Sequence, residues 1–133
     1  MEKFPFYLWT EKTQIRQFWE NLKNKQLTTT RCPECNETHW PPRHMCPKCY
    51  RKQLEWIELK QEGVLETFTD VGVALKEFNP PFLVGCLRLD DDGPMIFARM
   101  RNFPSKDAVE LGMRCKISFD FVGDTPIYVI EPP

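Results

Sequence analysis

Apolar residues recur at Ile15, Phe18, Trp19 and Leu22, the i, i+3, i+4, i+7 spacing that draws one stripe along a helix. Thr10 stands where a helix cap belongs, so the pattern predicts a helix over residues 10–23. Ahead of it Phe4, Phe6, Tyr7 and Trp9 crowd a segment broken by Pro5, and such a segment either folds back on its own domain or meets a partner. Beyond residue 61 the period shortens to that of strands. Strands are predicted at about 63–69, 71–77, 82–89, 95–100 and 114–122, with a terminal strand at 127–131 that replaces or extends one of them. Asp90, Asp91 and Asp92 before Gly93-Pro94 read as a solvated hairpin turn rather than a metal site, and residues 105–111 as a short helix. Along 114–121 the apolar positions alternate, which puts Cys115 in phase with Ile117, Phe119 and Phe121 as a small core residue; Cys86, in the apolar run 82–87, is expected to be buried too. Neither thiol has a base arranged to activate it. Five or six short strands with one short helix point to a small Greek-key barrel, best matched by an OB-fold.

Between the helix and the strands lie two cysteine pairs, Cys32-Pro33-Glu34-Cys35 and Cys46-Pro47-Lys48-Cys49, separated by ten residues. Each pair wraps its backbone so that two thiolates face one ion, and two such knuckles supply the four-sulfur tetrahedron of a structural zinc site. Cys32, Cys35, Cys46 and Cys49 are therefore the expected ligands of one structural zinc, with a rubredoxin-type iron as the alternative metal. His39 and His44, in the loop between the pairs, could replace a cysteine but read better as loop-packing or surface residues. The expected division is residues 1–26 for the aromatic segment and helix, 27–60 for a zinc ribbon and 61–133 for the OB-fold. The fold class is thus mainly β with an N-terminal helix.

Charge narrows the function. The 133 residues carry a formal net charge of −1, which gives no footprint for a dedicated duplex binder. The halves differ: residues 1–60 sum to +4 and residues 61–133 to −5. A barrel of net negative charge opposes a phosphate-tracking groove, so a nucleic-acid or transcription-associated module is the alternative reading, with Phe68, Phe82 and Phe97 as its candidate stacking residues. No apolar run approaches a membrane span and the first residues lack a secretory pattern, so a cytoplasmic protein without membrane contact is expected. No acid–base pair or phosphate-binding glycine loop stands out for a stand-alone enzyme.

The order of these features resembles a known family. The strings RCPEC, WPPRHMCPKC, GVLETFT, NPPFLVGCLRLDDDG and ELGMRCKISFDFVGDTPIYVIEPP are similar to those of small proteins that join a rubredoxin-like zinc ribbon to an OB-fold, long known only as a domain of unknown function. The most restrictive element is the aromatic residue with Pro41-Pro42-Arg43 ahead of the second knuckle. Asn36 stands where the family usually has glycine, and Tyr50 after the second knuckle departs further. The resemblance implies a non-catalytic accessory subunit that binds a thiolase-superfamily enzyme. That partner would be an acetoacetyl-CoA thiolase, a hydroxymethylglutaryl-CoA synthase, or a degradative acyl-CoA thiolase or aldolase. It also implies a possible acyl-CoA contact, for which Trp40, Pro41, Pro42, Arg43, Lys48 and Arg51 are the candidates beside the bland reading of ordinary solvated charges.

Overall fold

The computed structural model describes residues 13–133. Helix α1 (Arg16–Lys23) buries Phe18 and Leu22, with Ile15 and Trp19 packed against the same core, so the apolar stripe faces inward as its spacing predicts. The expected cap at Thr10 and the aromatic residues Phe4, Phe6, Tyr7 and Trp9 lie outside the described residues. The helix itself starts later than predicted, with Ile15 at the N-cap position. It also ends without a glycine. Lys25 takes the left-handed conformation, φ 60°. The N–H groups of Gln26 and Lys25 donate to the carbonyls of Asn21 and Leu22, both at 3.0 Å, which is a Schellman closure.

That turn delivers the fully buried Leu27 to strand β1 (Thr28–Arg31), which pairs antiparallel with β2 (Glu55–Glu58), Thr28 opposite Glu58 and Arg31 opposite Glu55. The Leu59 N–H donates to the Leu27 carbonyl at 2.8 Å and extends the pair by one step. The cysteine turns hang from this two-stranded sheet.

Five strands then close a barrel: β3 (Glu62–Val71), β4 (Phe82–Leu89), β5 (Met95–Met100), β6 (Arg114–Val122) and β7 (Thr125–Glu131). Their order around it is β3-β4-β5-β7-β6, with β6 returning to β3. All pairs are antiparallel except β5 with β7, which touch in parallel at Met100 and Ile130. This is the connectivity of an OB-fold. Leu65, Leu87, Leu89, Ile96, Cys115, Ile117 and Ile130 fill the interior. Gly63 sits where β3 meets both neighbours, opposite Leu89 of β4 and Cys115 of β6. A Cβ there would lie 2.0 Å from the Arg88 carbonyl oxygen, so only glycine fits this crossing.

Several strand-level expectations are corrected. The strands predicted at 63–69 and 71–77 are one ten-residue strand, β3, which bends at a bulge between Leu65 and Thr67. Residues 72–77 are not a barrel strand; Val73 and Leu75 are exposed, and the segment ends in a 3₁₀ turn at Lys76–Phe78. The uncertain terminal segment is a complete barrel strand. The helix expected at 105–111 shrinks to a 3₁₀ turn, Lys106–Ala108. Cys115 is buried, as expected, but Phe121 is not: Val122 takes the inward position at the end of β6. Cys86 is only half-buried, because Gly85, Leu87 and Leu89 hold the inward phase of β4 and turn it outward.

A cluster of edge-on aromatic rings joins the helix, the cysteine loop and the barrel. Phe18 meets Trp40 at 5.8 Å and Tyr128 at 6.5 Å between centroids, and Trp40 meets Tyr128 at 5.9 Å. Such contacts add specificity of angle to burial. The consequence is positional: the loop that carries Pro41, Pro42 and Arg43 is held against β7.

Candidate functional site

The two cysteine turns are built alike. The Asn36 N–H donates to the Cys32 carbonyl at 2.8 Å and the Cys32 N–H to the Glu37 carbonyl at 3.0 Å. In the second turn the Tyr50 N–H donates to the Cys46 carbonyl and the Cys46 N–H to the Arg51 carbonyl, both at 2.9 Å. Asn36 and Tyr50 occupy the same left-handed step, φ 56° and 62°. The bulky Tyr50 therefore adopts the turn as Asn36 does, with its ring exposed.

These turns bring four sulfurs together, all within 4.8 Å of one another. The Sγ atoms of Cys32 and Cys49 are 3.6 Å apart, and those of Cys46 and Cys35 3.9 Å. A tetrahedron with metal–sulfur bonds of about 2.3 Å needs sulfurs about 3.8 Å apart, so the donor set fits a zinc-type ion. The thiols also share protons unequally. Cys35 is pushed up to about 12, first by its hydrogen bond with Cys49 and then by burial. Cys46 is held down at about 6, first by the backbone N–H of Cys49, then by that of Lys48 and by the ring of His39.

His39 belongs to the support of this cluster and not to the sulfur set. It is 5% exposed. Its N–H donates to the Thr30 carbonyl at 2.9 Å, and its own carbonyl accepts from the Thr29 hydroxyl. Thr30 Oγ1 accepts the Arg43 N–H at 2.9 Å and lies 3.1 Å from His39 Nδ1. The Thr30 hydroxyl thus links the His39 ring to the backbone of Arg43. Nε2 is buried and makes no hydrogen bond among the described residues, while the ring stands close enough to Cys46 to favour its thiolate. Sequence reading missed this role, although the run Thr28-Thr29-Thr30 in a strand was a signal of buried hydroxyls.

The remaining candidates separate by their partners. Trp40 packs inward in the aromatic cluster, Pro42 is buried beside it, and Pro41 is exposed. Lys48 pairs with Glu37 at 3.0 Å, which raises its pKa, and Arg51 pairs with Glu34 at 2.9 Å. Arg43 is exposed and has no carboxylate within 4.0 Å among the described residues; it borders a groove of about 620 Å³ with Ile15, Pro42, Met45 and Tyr50. The structure thus brings Arg43 to an open face and ties Lys48 and Arg51 to carboxylates. The acidic turn is likewise spoken for: Asp90 receives both guanidinium nitrogens of Arg114, at 2.8 and 2.6 Å, and Asp91 faces Lys60. His44 is exposed and outside the sulfur cluster. No helix among the described residues is long and apolar enough to cross a membrane.

Comparison with known proteins agrees with this geometry. A family described as ChsH2, rubredoxin-like zinc ribbon domain, matches residues 19–55. A DUF35 domain-containing scaffold protein of Methanocaldococcus jannaschii is 32% identical over 117 residues, covering 85% of this chain and 81% of the relative. Benzoylsuccinyl-CoA thiolase subunit BbsA of Thauera aromatica is 28% identical over 85 residues, 61% of this chain and 58% of its own. Among solved structures, a chain of the Ltp2-ChsH2(DUF35) aldolase superposes with a TM-score of 0.76 at 20% identity, covering 88% of this chain and 92% of that one.

Proposed function

The chain belongs to the family of DUF35 domain-containing scaffold proteins, and from that premise we propose that it is the non-catalytic accessory subunit of a thiolase-superfamily enzyme. The partner is an acetoacetyl-CoA thiolase, a hydroxymethylglutaryl-CoA synthase, or a degradative acyl-CoA thiolase or aldolase, and it carries the reacting groups. The similarity to a thiolase subunit supports this class. In the proposed division residues 1–26 lead in, 27–60 form the zinc ribbon and 61–133 the OB-fold. Cys32, Cys35, Cys46 and Cys49 hold one zinc ion, which supplies a crosslink between the two turns and no open position for substrate.

The observation that carries the reading is the closed sulfur shell: four donors within 4.8 Å of one another are the densest chemistry among the described residues, and their use is architectural. Arg43 is the residue we assign to the phosphates of an acyl-CoA bound between this chain and its partner. Its N–H is anchored on Thr30 and its neighbour Pro42 is buried, so the side chain starts from a fixed base. Lys48 and Arg51 join only if their pairs with Glu37 and Glu34 open. We place the protein in the cytoplasm, whose reducing conditions keep the four clustered thiols available to a metal.

The test is gentle affinity capture of the tagged chain from its native host, with mass spectrometry of what stays bound. The reading expects a thiolase-superfamily subunit at fixed stoichiometry. Recovery of RNA polymerase subunits or nucleic acid in its place overturns it.

A further inference from the structure

Four arginines stand on the barrel, and three are neutralised. Arg88 meets Glu66 at 2.8 Å, Arg101 meets Asp120 at 2.5 Å and Glu131 at 3.9 Å, and Arg114 meets Asp90 and Glu62. Arg99 differs. Among the described residues no carboxylate lies within 4.0 Å of it, and its guanidinium carbon rests 4.2 Å from the centroid of the Phe82 ring. It is half-buried in a groove of about 890 Å³ whose other walls include Phe78, Phe97, Phe103 and Tyr128, with Glu77 also on the lining but outside ion-pair distance of it. Phe97 leaves 62% of its surface exposed at the rim, and Phe121, 48% exposed, sits opposite Pro126 where the groove meets β7.

We infer that this groove docks a partner polypeptide, and that the partner seats a carboxylate, flanked by apolar side chains, against Arg99. The inference rests on the scaffold reading above and names its surface. Partial burial of a cation that no carboxylate contacts is unfavourable, and an incoming carboxylate at hydrogen-bond distance offsets that cost. Burial, and then the neighbouring charge of Arg101, already depress the Arg99 pKa, in keeping with that strain. An arginine on an aromatic face, ringed by apolar side chains, is also the composition of an interface hot spot. Two features select a polypeptide over a small molecule. The exposed rings of Phe97 and Phe121 carry the apolar surface past the groove itself. The barrel half sums to −5, which repels a polyphosphate but admits one carboxylate shielded by apolar neighbours.

The experiment takes the thiolase-superfamily subunit recovered with the wild-type chain and measures its binding, by calorimetry, to purified full-length Arg99→Glu, Arg99→Gln and Phe97→Ala. Arg99 makes no ion pair within the described residues and loses only its stacking on Phe82 when replaced, so its variants are expected to stay folded with Tm lowered by no more than about a few degrees; the conservative Arg99→Gln serves if Arg99→Glu does not fold. Binding is expected to weaken about 100-fold or more for Arg99→Glu and about tenfold for Arg99→Gln and Phe97→Ala. Wild-type affinity in all three variants overturns the docking inference and leaves the scaffold reading standing. Benzoate shifting the groove's amide resonances while the variants bind the subunit normally makes the groove a small-carboxylate site and also overturns it. Capture that yields no thiolase-superfamily subunit removes the scaffold reading and the inference with it.

Discussion

The hydroxyl of Thr30 lies 3.1 Å from Nδ1 of His39 and accepts the Arg43 N–H, so one side chain ties the ring to the loop ahead of the second cysteine turn. The ring stands beside Cys46 and favours its thiolate, a support from outside the set of four sulfurs. His39→Ala is predicted to retain one zinc per chain but to lose it to a chelator about tenfold faster than wild type. Thr30→Val is expected to do the same more weakly. Absorption spectra of the cobalt-substituted chains check the point: the four-thiolate signature should persist in both variants.

Removal of one ligand has a larger effect. Two short strands cannot bury enough apolar surface to hold residues 27–60 alone, and a metal crosslink replaces the missing core. Cys46→Ser is predicted to lose zinc and the amide dispersion of the cysteine turns while the barrel resonances persist. A variant that keeps ribbon dispersion after chelation contradicts the structural role of the ion.

The four-sulfur cluster and the barrel were legible in the sequence for different reasons. CxxC spacing constrains sulfur positions locally, so the four thiols converge as the pattern predicts. Strand phase is readable over the stretch where one face stays buried, as at Cys115 and Ile117 in the first half of β6. It fails where tertiary structure changes phase: Phe121 alternates with the core residues before it yet faces solvent, and Val73 and Leu75 continue an apolar pattern in a loop. Roles that depend on residues distant in sequence were not readable at all. Nothing near Arg99 in the chain shows that Phe82 will lie beneath it, and nothing near Lys48 shows that Glu37 will pair with it.

Gly63→Ala tests the barrel closure. The added methyl would meet the Arg88 carbonyl 2.0 Å away, and backbone cannot yield as a side chain does. The substitution is predicted to destabilise the chain by at least about 1–3 kcal/mol, visible as a lower urea midpoint with unchanged zinc content.

Acid should act through Asp90. Its hydrogen bonds from Arg114 hold its carboxyl below the usual carboxylate range. A carboxyl with a folded pKa below its unfolded value adds stability that is fully present above the unfolded value, about 3.9, and is lost as pH falls through the lower folded value. Asp120, held down chiefly by Arg101, behaves alike. Thermal unfolding of Asp90→Asn across this range should therefore show a lower Tm than wild type at neutral pH and a shallower decline below pH about 4.

The most direct measurement of the scaffold role is acyl-CoA turnover by the purified chain, by its captured partner subunit and by the reassembled pair, with Arg43→Ala as a fourth sample. No turnover is expected from the chain alone, full turnover from the pair, and a raised KM for acyl-CoA from the Arg43→Ala pair at wild-type zinc content. Turnover by the isolated chain, or a partner whose activity is the same with and without it, contradicts the account.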